Sequence, residues 1–146
     1  MLDNNKLRKL AEKYGLDRTD FWMLKIGSKE LPIILHDAVT RIAHQEGIKF
    51  DEPIIVNNDN RGIAMKGRAS KIVEIEDEDG NLTEEEISVW SFGEASPTNC
   101  RQGFPWAMCE KRLQDRLTLK ILRLYEEGLY SEVESDEFKK QIDKGE

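Results

Sequence analysis

The feature that most constrains this chain is a pair of alternating segments joined by a tight turn. The early part of residues 62–75 carries small or apolar residues at one set of alternate positions: Ile63, Met65, Gly67 and Ala69. From residue 66 to residue 70, polar residues occupy the opposite set of positions: Lys66, Arg68 and Ser70. Asp79-Gly80-Asn81 is a turn sequence, after which residues 87–92 return as a partner strand. The sequence therefore predicts a long β-hairpin that buries one face and exposes the other.

A long helix is predicted after the hairpin, from Pro105 to Tyr125 or Glu127, before Gly128. At 100° per residue, one apolar seam contains Trp106, Cys109, Leu113, Leu117, Ile121 and Leu124. A basic ridge follows one flank of the seam within a sector of about 80°, and it consists of Arg112, Arg116, Lys120 and Arg123. Because Leu119 and Leu122 lie beyond this ridge, we expect the helix to pack on two sides, on its own sheet and on a neighbouring subunit.

The remaining segments are shorter. Helices are predicted over 3–14 and 36–46, a helical turn over 21–24, and strands over 48–50 and 54–56. Pro32 indicates that residues 31–35 are an edge strand or a lead-in to the next helix. We predict an α+β fold in which a small antiparallel sheet packs on the long C-terminal helix. Its parts are an N-terminal helical segment (1–30), the α+β core (31–130) and an acidic tail that frays (131–146).

The composition argues against several classes of protein. The 146 residues have the usual length of one domain, and no run approaches the roughly 20 apolar residues of a membrane span. The first residues lack the apolar core of a signal peptide, so we expect a cytoplasmic protein without a membrane partner. Two cysteines, Cys100 and Cys109, fit a reducing compartment. A zinc site would have to combine them with His36 and His44, and no two of these residues have the close spacing that is typical of zinc ligands. Because nucleotide-loop, metalloprotease, hydrolase and deaminase motifs are missing, we expect neither an enzyme nor a cofactor.

Charge is unevenly distributed along the chain. The formal net charge is −7, yet residues 99–125 hold six bases against two acids. Residues 74–86 contain eight acids and no base, and residues 126–146 contain eight acids against three lysines. We therefore expect a polyanion to meet the long helix, with Lys66 and Arg68 extending the same basic surface.

Two interpretations stay open for the residues of this surface. The basic ridge either contacts nucleic acid or covers the apolar seam with its long side chains while their charges remain in water. Trp90 falls on the strand face opposite to Val89. Its ring therefore either packs against neighbouring side chains or provides an exposed surface on which a base stacks.

Two short motifs resemble the single-strand annealing proteins of homologous recombination, which include phage annealing proteins and the related eukaryotic mediator. Phe92-Gly93-Glu94-Ala95-Ser96 closes a strand, and residues 107–112 with Asp115-Arg116 open a long helix. Residues 128–132 and 136–138 resemble the acidic end of phage and prophage members. The resemblance covers residues 31–138 of this chain.

The resemblance implies a β-β-β-α fold assembled into rings or filaments, with single-stranded DNA in a basic groove between hairpin and helix. Such annealing presents the bases for pairing and needs neither nucleotide nor metal. Arg116, Lys120 and Arg123 match the helix positions that hold the phosphate backbone, whereas Lys66 and Arg68 match the hairpin in general character. The full set of predicted nucleic-acid contacts is Lys66, Arg68, Arg112, Arg116, Lys120 and Arg123, with Trp90 as a stacking residue.

We therefore predict a homo-oligomeric, single-stranded DNA-binding and annealing protein of phage or prophage recombination. We expect it to act in the cytoplasm of a bacterial or phage-infected host cell, with other recombination proteins as further partners. The alternative is a non-enzymatic protein-interaction module that uses the acidic hairpin and tail to recruit a basic partner.

Overall fold

A computed structural model describes residues 4–97 and 105–134. Within these residues the fold is mixed α+β, with three α-helices and two small sheets, as predicted at the level of class. The helices are α1 (Asn4–Tyr14), α2 (His36–Gln45) and α3 (Pro105–Ile121). The strands are β1 (Phe21–Ile26), β2 (Lys29–Ile34), β3 (Lys49–Phe50), β4 (Ile54–Asp59), β5 (Gly62–Glu76), β6 (Leu82–Ala95) and β7 (Tyr130–Ser131). Single turns of 3-10 helix cover Arg18–Asp20 and Glu132–Glu134.

The larger sheet is built on the predicted hairpin. β5 and β6 pair antiparallel from Ile63↔Ala95 to Glu76↔Leu82. In the turn between them, the Asp77 carboxylate accepts hydrogen bonds from the backbone N–H groups of Asp79 and Asn81. β3 and β4 pair with β5 on its other side, so β6 is an edge strand among the described elements. The hairpin is confirmed, and its buried and exposed faces are confirmed for residues 63–69, whereas Ile75 and Ile87 on the inner face nearer the turn are exposed. β6 begins at Leu82 rather than near residue 87.

Two glycines allow α3 to lie directly on the buried face of the hairpin. A Cβ atom on Gly93 would lie 2.6 Å from the carbonyl oxygen of Cys109 and 2.8 Å from Cβ of Leu113. A Cβ atom on Gly67 would lie 2.8 Å from a terminal methyl carbon of Leu113. The core formed by this close approach contains Ile63, Met65, Ala69, Ala95, Met108, Cys109, Leu113, Leu117 and Ile121.

The other side of α3 packs against the N-terminal part of the same chain. Leu119 is fully buried, and it belongs to a second core together with residues of α1, α2 and β2. The expectation that a neighbouring subunit covers this side is wrong, because α2 occupies the place. The second core contains Tyr14, Ile34, Ala38, Val39, Ile42, Leu119, Leu124 and Leu129.

The smaller sheet has the order β1-β2-β7. The predicted helical turn over 21–24 is wrong, because these residues form β1 and pair antiparallel with β2. The resulting hairpin also crosses residue 30, the predicted boundary between the N-terminal segment and the core. Pro32 lies inside β2, opposite Met23. β7 pairs with β2 at Ile33 and Ile34, so the pairing on that side of β2 does not reach the proline, which has no N–H to donate.

The long helix ends earlier than predicted. Its last residue is Ile121, and Arg123 follows with a left-handed φ of 60°. The Leu124 N–H donates to the Leu119 carbonyl and the Arg123 N–H to the Lys120 carbonyl, which is the Schellman arrangement that terminates a helix. Glycine usually occupies the left-handed position, and its absence at 123 explains why the prediction continued towards Gly128.

The first residues of the predicted acidic tail are ordered parts of the fold. Tyr130–Ser131 form β7, and Val133 is buried in the first core. The rest of the tail, residues 135–146, lies outside the described residues, as do Cys100 and Arg101. Among the helices that the structure describes, none combines the length and the apolar character needed to cross a membrane.

Candidate nucleic-acid interface

Arg112, the first member of the basic ridge, points into the protein. Its side chain is enclosed, leaving the residue 3% exposed. Nη1 donates to the carbonyl of Glu94 at 2.9 Å, and Nε donates to the carbonyl of Val133 at 2.9 Å. The guanidinium therefore joins α3 to β6 and to the chain after β7. In this conformation it is not accessible to a nucleic acid.

Arg116, one turn later, is held between two carboxylates. Its Nη1 and Nη2 atoms each lie 2.7 Å from an oxygen of Glu94, a bidentate arrangement. Its Nη2 atom also donates to Glu134 at 2.9 Å. The hydrogen bonds from Arg116 hold the pKa of the Glu94 carboxyl below its usual value. The charge of Arg116 is thus neutralised within the chain.

Three ridge residues together cap the edge of β6. Arg112, Arg116 and Lys120 donate to the carbonyls of Glu94, Phe92 and Trp90, at 2.9, 2.9 and 2.6 Å. Four residues of helix rise about 6 Å and two residues of strand about 6.7 Å, so successive turns of α3 match alternate carbonyls of β6. Alternate residues of an antiparallel strand direct their carbonyls to the same edge. The ridge therefore occupies an edge that would otherwise be open to further strand pairing.

Arg123 does not continue the ridge. It lies beyond the end of α3, and its Nε atom forms an exposed ion pair with Glu126 at 3.2 Å. The basic ridge is therefore not a single exposed line of four cations. Of its four members, Lys120 is the one that is both exposed and part of the helix.

A different cationic surface remains open on the hairpin. Lys66 lies directly opposite Phe92 and Arg68 directly opposite Trp90, and all four side chains are exposed on the face that points away from α3. Lys120 reaches this surface around the edge of β6. We call these five residues the outer patch. Lys66 and Arg68 lie on the exposed face, where the sequence placed them, and Trp90, for which the sequence left packing and exposure open, lies on the same face.

The outer patch is organised around the indole ring of Trp90. The ring is 49% exposed, and the Nζ atoms of Lys66 and Lys120 lie 5.1 and 5.3 Å from its centre. Phe92 meets it edge-on, with 5.5 Å between ring centres. These spacings are typical of cation–π and aromatic pairs. Lysines and aromatic rings are thus held within one small area of an exposed sheet face.

Two residues of this face were missed by sequence reasoning. Phe92 was assigned to the family motif, although its alternation with Trp90 already places both side chains on the same face. Ile54 lies opposite Lys66 on β4 and is 65% exposed, and no local signal reveals that pairing. Conversely, Trp106 was predicted in the apolar seam and is 45% exposed at the start of α3.

A separate polar cluster lies between the two cores. His36 Nδ1 is 2.7 Å from Asp115 Oδ1, and the Ser131 hydroxyl donates to the other oxygen of Asp115. The carboxylate therefore stands between the serine and the imidazole, so the serine is not paired with a base. Within the described residues, no three histidine, cysteine or acidic side chains are arranged to hold a metal ion.

The comparisons with known proteins give no family assignment. No family model, curated protein or solved structure matches the chain.

Proposed function

We propose that the outer patch binds single-stranded nucleic acid, with single-stranded DNA as the ligand. The observation that carries this proposal is the half-exposed Trp90 ring with the ammonium groups of Lys66 and Lys120 close beside it. Stacking on an aromatic side chain is tolerant of sequence because every base has a π-face, and neighbouring cations neutralise the phosphates. Trp90 and Phe92 would take bases, while Lys66, Arg68 and Lys120 would neutralise phosphates.

The same proposal includes annealing and assembly of the kind that the motif resemblance implies. It is supported by the order of elements, since short strands and a long hairpin are followed by a helix on the buried face of that hairpin. It is also supported by the position of the outer patch on an exposed sheet, where bound bases remain accessible to a second strand. Arg112 and Arg116 have a structural role in this account, and Arg123 is peripheral.

The test is a titration of the full chain with a labelled single-stranded oligonucleotide at several salt concentrations. The slope of the logarithm of the binding constant against the logarithm of the salt concentration should decrease in magnitude by about 0.7 for each phosphate contact removed. The double variant Lys66→Gln with Lys120→Gln should therefore decrease it by about 1.4. Trp90→Leu removes a stacking surface and weakens binding by about 1–3 kcal/mol without a comparable change in the slope. Duplex DNA of the same sequence serves as the comparison ligand.

Lys9→Gln is the matched control, because Lys9 is an exposed lysine on α1, outside the outer patch. Its affinity and salt slope should equal those of the unmodified protein. If the patch variants and the control bind equally, the outer patch is not the binding surface. If no oligonucleotide binds at low salt, the nucleic-acid function itself is refuted.

A second candidate function is supported by the acidic end of the hairpin. Glu74 and Glu84 lie directly opposite each other and are exposed, within a segment that carries eight acids and no base. Such a surface fits a basic protein partner, in the interaction module that the sequence offers as the alternative. Binding of a cationic peptide that is lost with Glu74→Gln and Glu84→Gln, together with failure to bind oligonucleotide, would favour this function.

A further inference from the structure

The outer face of the hairpin carries large apolar side chains along its whole length. α3 packs on the opposite face, and the outer residues project into solvent. Ile54 on β4 and Leu82 on β6, the strands on either side of β5, are 65% and 67% exposed. Exposed apolar side chains that cluster, as Trp90 and Phe92 do here, mark an interaction site. Its exposed large apolar residues are Ile54, Ile72, Leu82, Trp90 and Phe92.

The charge of the same face reverses along the hairpin. The half near the body of the protein contains Lys66 and Arg68, joined at the edge by Lys120. The half near the turn contains acids at every outer position except Ile72 and Leu82: Glu74, Glu76, Glu84 and Glu86. We call this half, residues 72–86, the acidic ribbon. Two of its acids, Glu74 and Glu84, are direct cross-strand neighbours, and like charges in that position destabilise a sheet.

We propose that two copies of this chain dock outer face to outer face, with their hairpins antiparallel, around a two-fold axis that crosses β5 between Ser70 and Ile72. In this arrangement β5 of each copy lies over β5 of the other, and β6 over β6. Arg68 then meets Glu74 of the second copy, and Lys66 meets Glu76. On β6, Phe92 meets Leu82 of the second copy.

The pattern favours a second copy because these contacts are self-complementary. On β5, outer residues at equal distances from the axis have opposite charge: Lys66 pairs with Glu76, and Arg68 with Glu74. On β6, the residues that meet, Phe92 and Leu82, are both apolar. A two-fold operation therefore makes each favourable contact twice and closes the assembly at two chains. Each acidic ribbon also gains cations that offset the repulsion between its own glutamates. The strip is about 34 Å long and two strands wide, which fits a reversible rather than a permanent dimer.

The dimer would cover the outer patch of both copies with the acidic ribbon of the other. If the patch binds nucleic acid, as proposed above, the acidic ribbon of the second copy occupies the place of the phosphates. The second copy and the nucleic acid then exclude each other. Self-association and nucleic-acid binding are then alternative states of one surface. The dimer itself does not depend on the nucleic-acid function.

The test is charge reversal followed by mixing, monitored as molar mass by sedimentation equilibrium of the full chain. We expect the unmodified protein to approach twice its 16.9 kDa at low salt and to dissociate as salt is added. Arg68→Glu places glutamate against Glu74 of the second copy, and Glu74→Arg places arginine against Arg68. Each variant alone should raise the dimer dissociation constant at least about tenfold.

An equimolar mixture of the two variants should restore dimer formation. In the mixed dimer the glutamate introduced by Arg68→Glu faces the arginine introduced by Glu74→Arg, and the symmetric contact keeps the unmodified pair of Arg68 and Glu74. Residues 68 and 74 of one chain are separated by about 20 Å of strand, so the rescue cannot arise within a chain. Lys25→Glu is the matched control, since Lys25 is an exposed cation on β1 of the other sheet, and it should leave the mass unchanged.

A mixture that remains monomeric, or an unmodified chain that is monomeric at low salt and high concentration, overturns the dimer. An oligonucleotide that binds without dissociating the dimer overturns the shared surface. If mixing rescues the dimer while no oligonucleotide binds even to the monomeric Glu74→Arg variant, whose outer patch is complete and uncovered, this inference stands and the proposed nucleic-acid function is refuted instead. Circular dichroism of each variant establishes that it is folded.

Discussion

At the scale of single residues, the motif that resembles annealing proteins has a structural explanation. Gly93 lies under the backbone of α3, and Ala95 is buried. The Glu94 carboxylate accepts hydrogen bonds from both terminal nitrogens of Arg116. Asp115, from the helix part of the motif, is buried between His36 and Ser131. These residues join the helix to the hairpin and to the second core. These contacts give the motif residues a role in stabilising the fold.

The two glycines under α3 should differ in their tolerance of a methyl group. Gly93→Ala places Cβ against the Cys109 carbonyl and the Leu113 backbone, which cannot move without shifting the helix. We expect a loss of about 3 kcal/mol in the free energy of unfolding. Gly67→Ala meets a terminal methyl of Leu113, which can rotate, so we expect a loss of about 1 kcal/mol or less. Urea denaturation of both variants measures the difference, and equal losses would contradict the close approach of α3 at Gly93.

At the scale of elements, the basic ridge pairs one helix with one strand edge. The rise of four helical residues and that of two strand residues are similar, so Arg112, Arg116 and Lys120 each reach a carbonyl of β6. The helical wheel places these cations on one flank correctly. It carries no information on what that flank faces, which here is the edge of the chain's own hairpin.

Arg116 should therefore affect stability more than nucleic-acid binding. Arg116→Gln leaves Glu94 and Glu134 without their cation, and both carboxylates are half-buried. We expect a loss of about 2–3 kcal/mol in the free energy of unfolding, measured by urea denaturation. Lys120→Gln is the control, because Lys120 is exposed and its loss should cost about 0.5 kcal/mol or less. A fully stable Arg116→Gln protein that has lost oligonucleotide binding would return Arg116 to the binding surface.

At the scale of the whole molecule, α3 separates two cores that are joined by a buried polar bridge. Asp115 on α3 contacts the His36 ring at the start of α2 and the Ser131 hydroxyl on β7. The backbone N–H of His36 donates to the Glu132 carboxylate at 2.8 Å. The hydrogen bond to Asp115 raises the pKa of His36, and burial raises the pKa of Asp115. Both groups therefore hold protons more tightly in the folded chain than in the unfolded chain.

Stability should fall as the pH rises past neutrality. The contribution of His36 is fully present below its unfolded pKa of 6.5 and is lost as the pH rises through the higher folded value. We expect the melting temperature to decrease between about pH 6 and about pH 8, and His36→Gln to remove most of this dependence. His44→Gln is the control, because His44 is exposed and its removal should preserve the slope. An unchanged slope in His36→Gln would show that the bridge does not titrate in this range.

The sequence alone determined the features that depend on neighbouring residues. The period of two in residues 62–75 assigned Met65 to the core and Lys66 and Arg68 to the exposed face, because alternation follows from strand geometry. The start of the long helix followed from Pro105, and the strand face of Trp90 from its alternation with Val89, although the exposure of the ring was left open.

Tertiary structure decided what each face meets. The partners of Arg116 are Glu94 and Glu134, which are 22 and 18 residues away in sequence, and no periodicity connects them. The chain direction after Ile121 and the strand at 21–26 likewise depend on packing against distant segments. Local spacing fixes the direction in which a side chain points, whereas the atoms it finds there are brought by parts of the chain that lie far away in sequence. For this reason the sequence located the cations, and the fold divided them between a capped strand edge and an open surface.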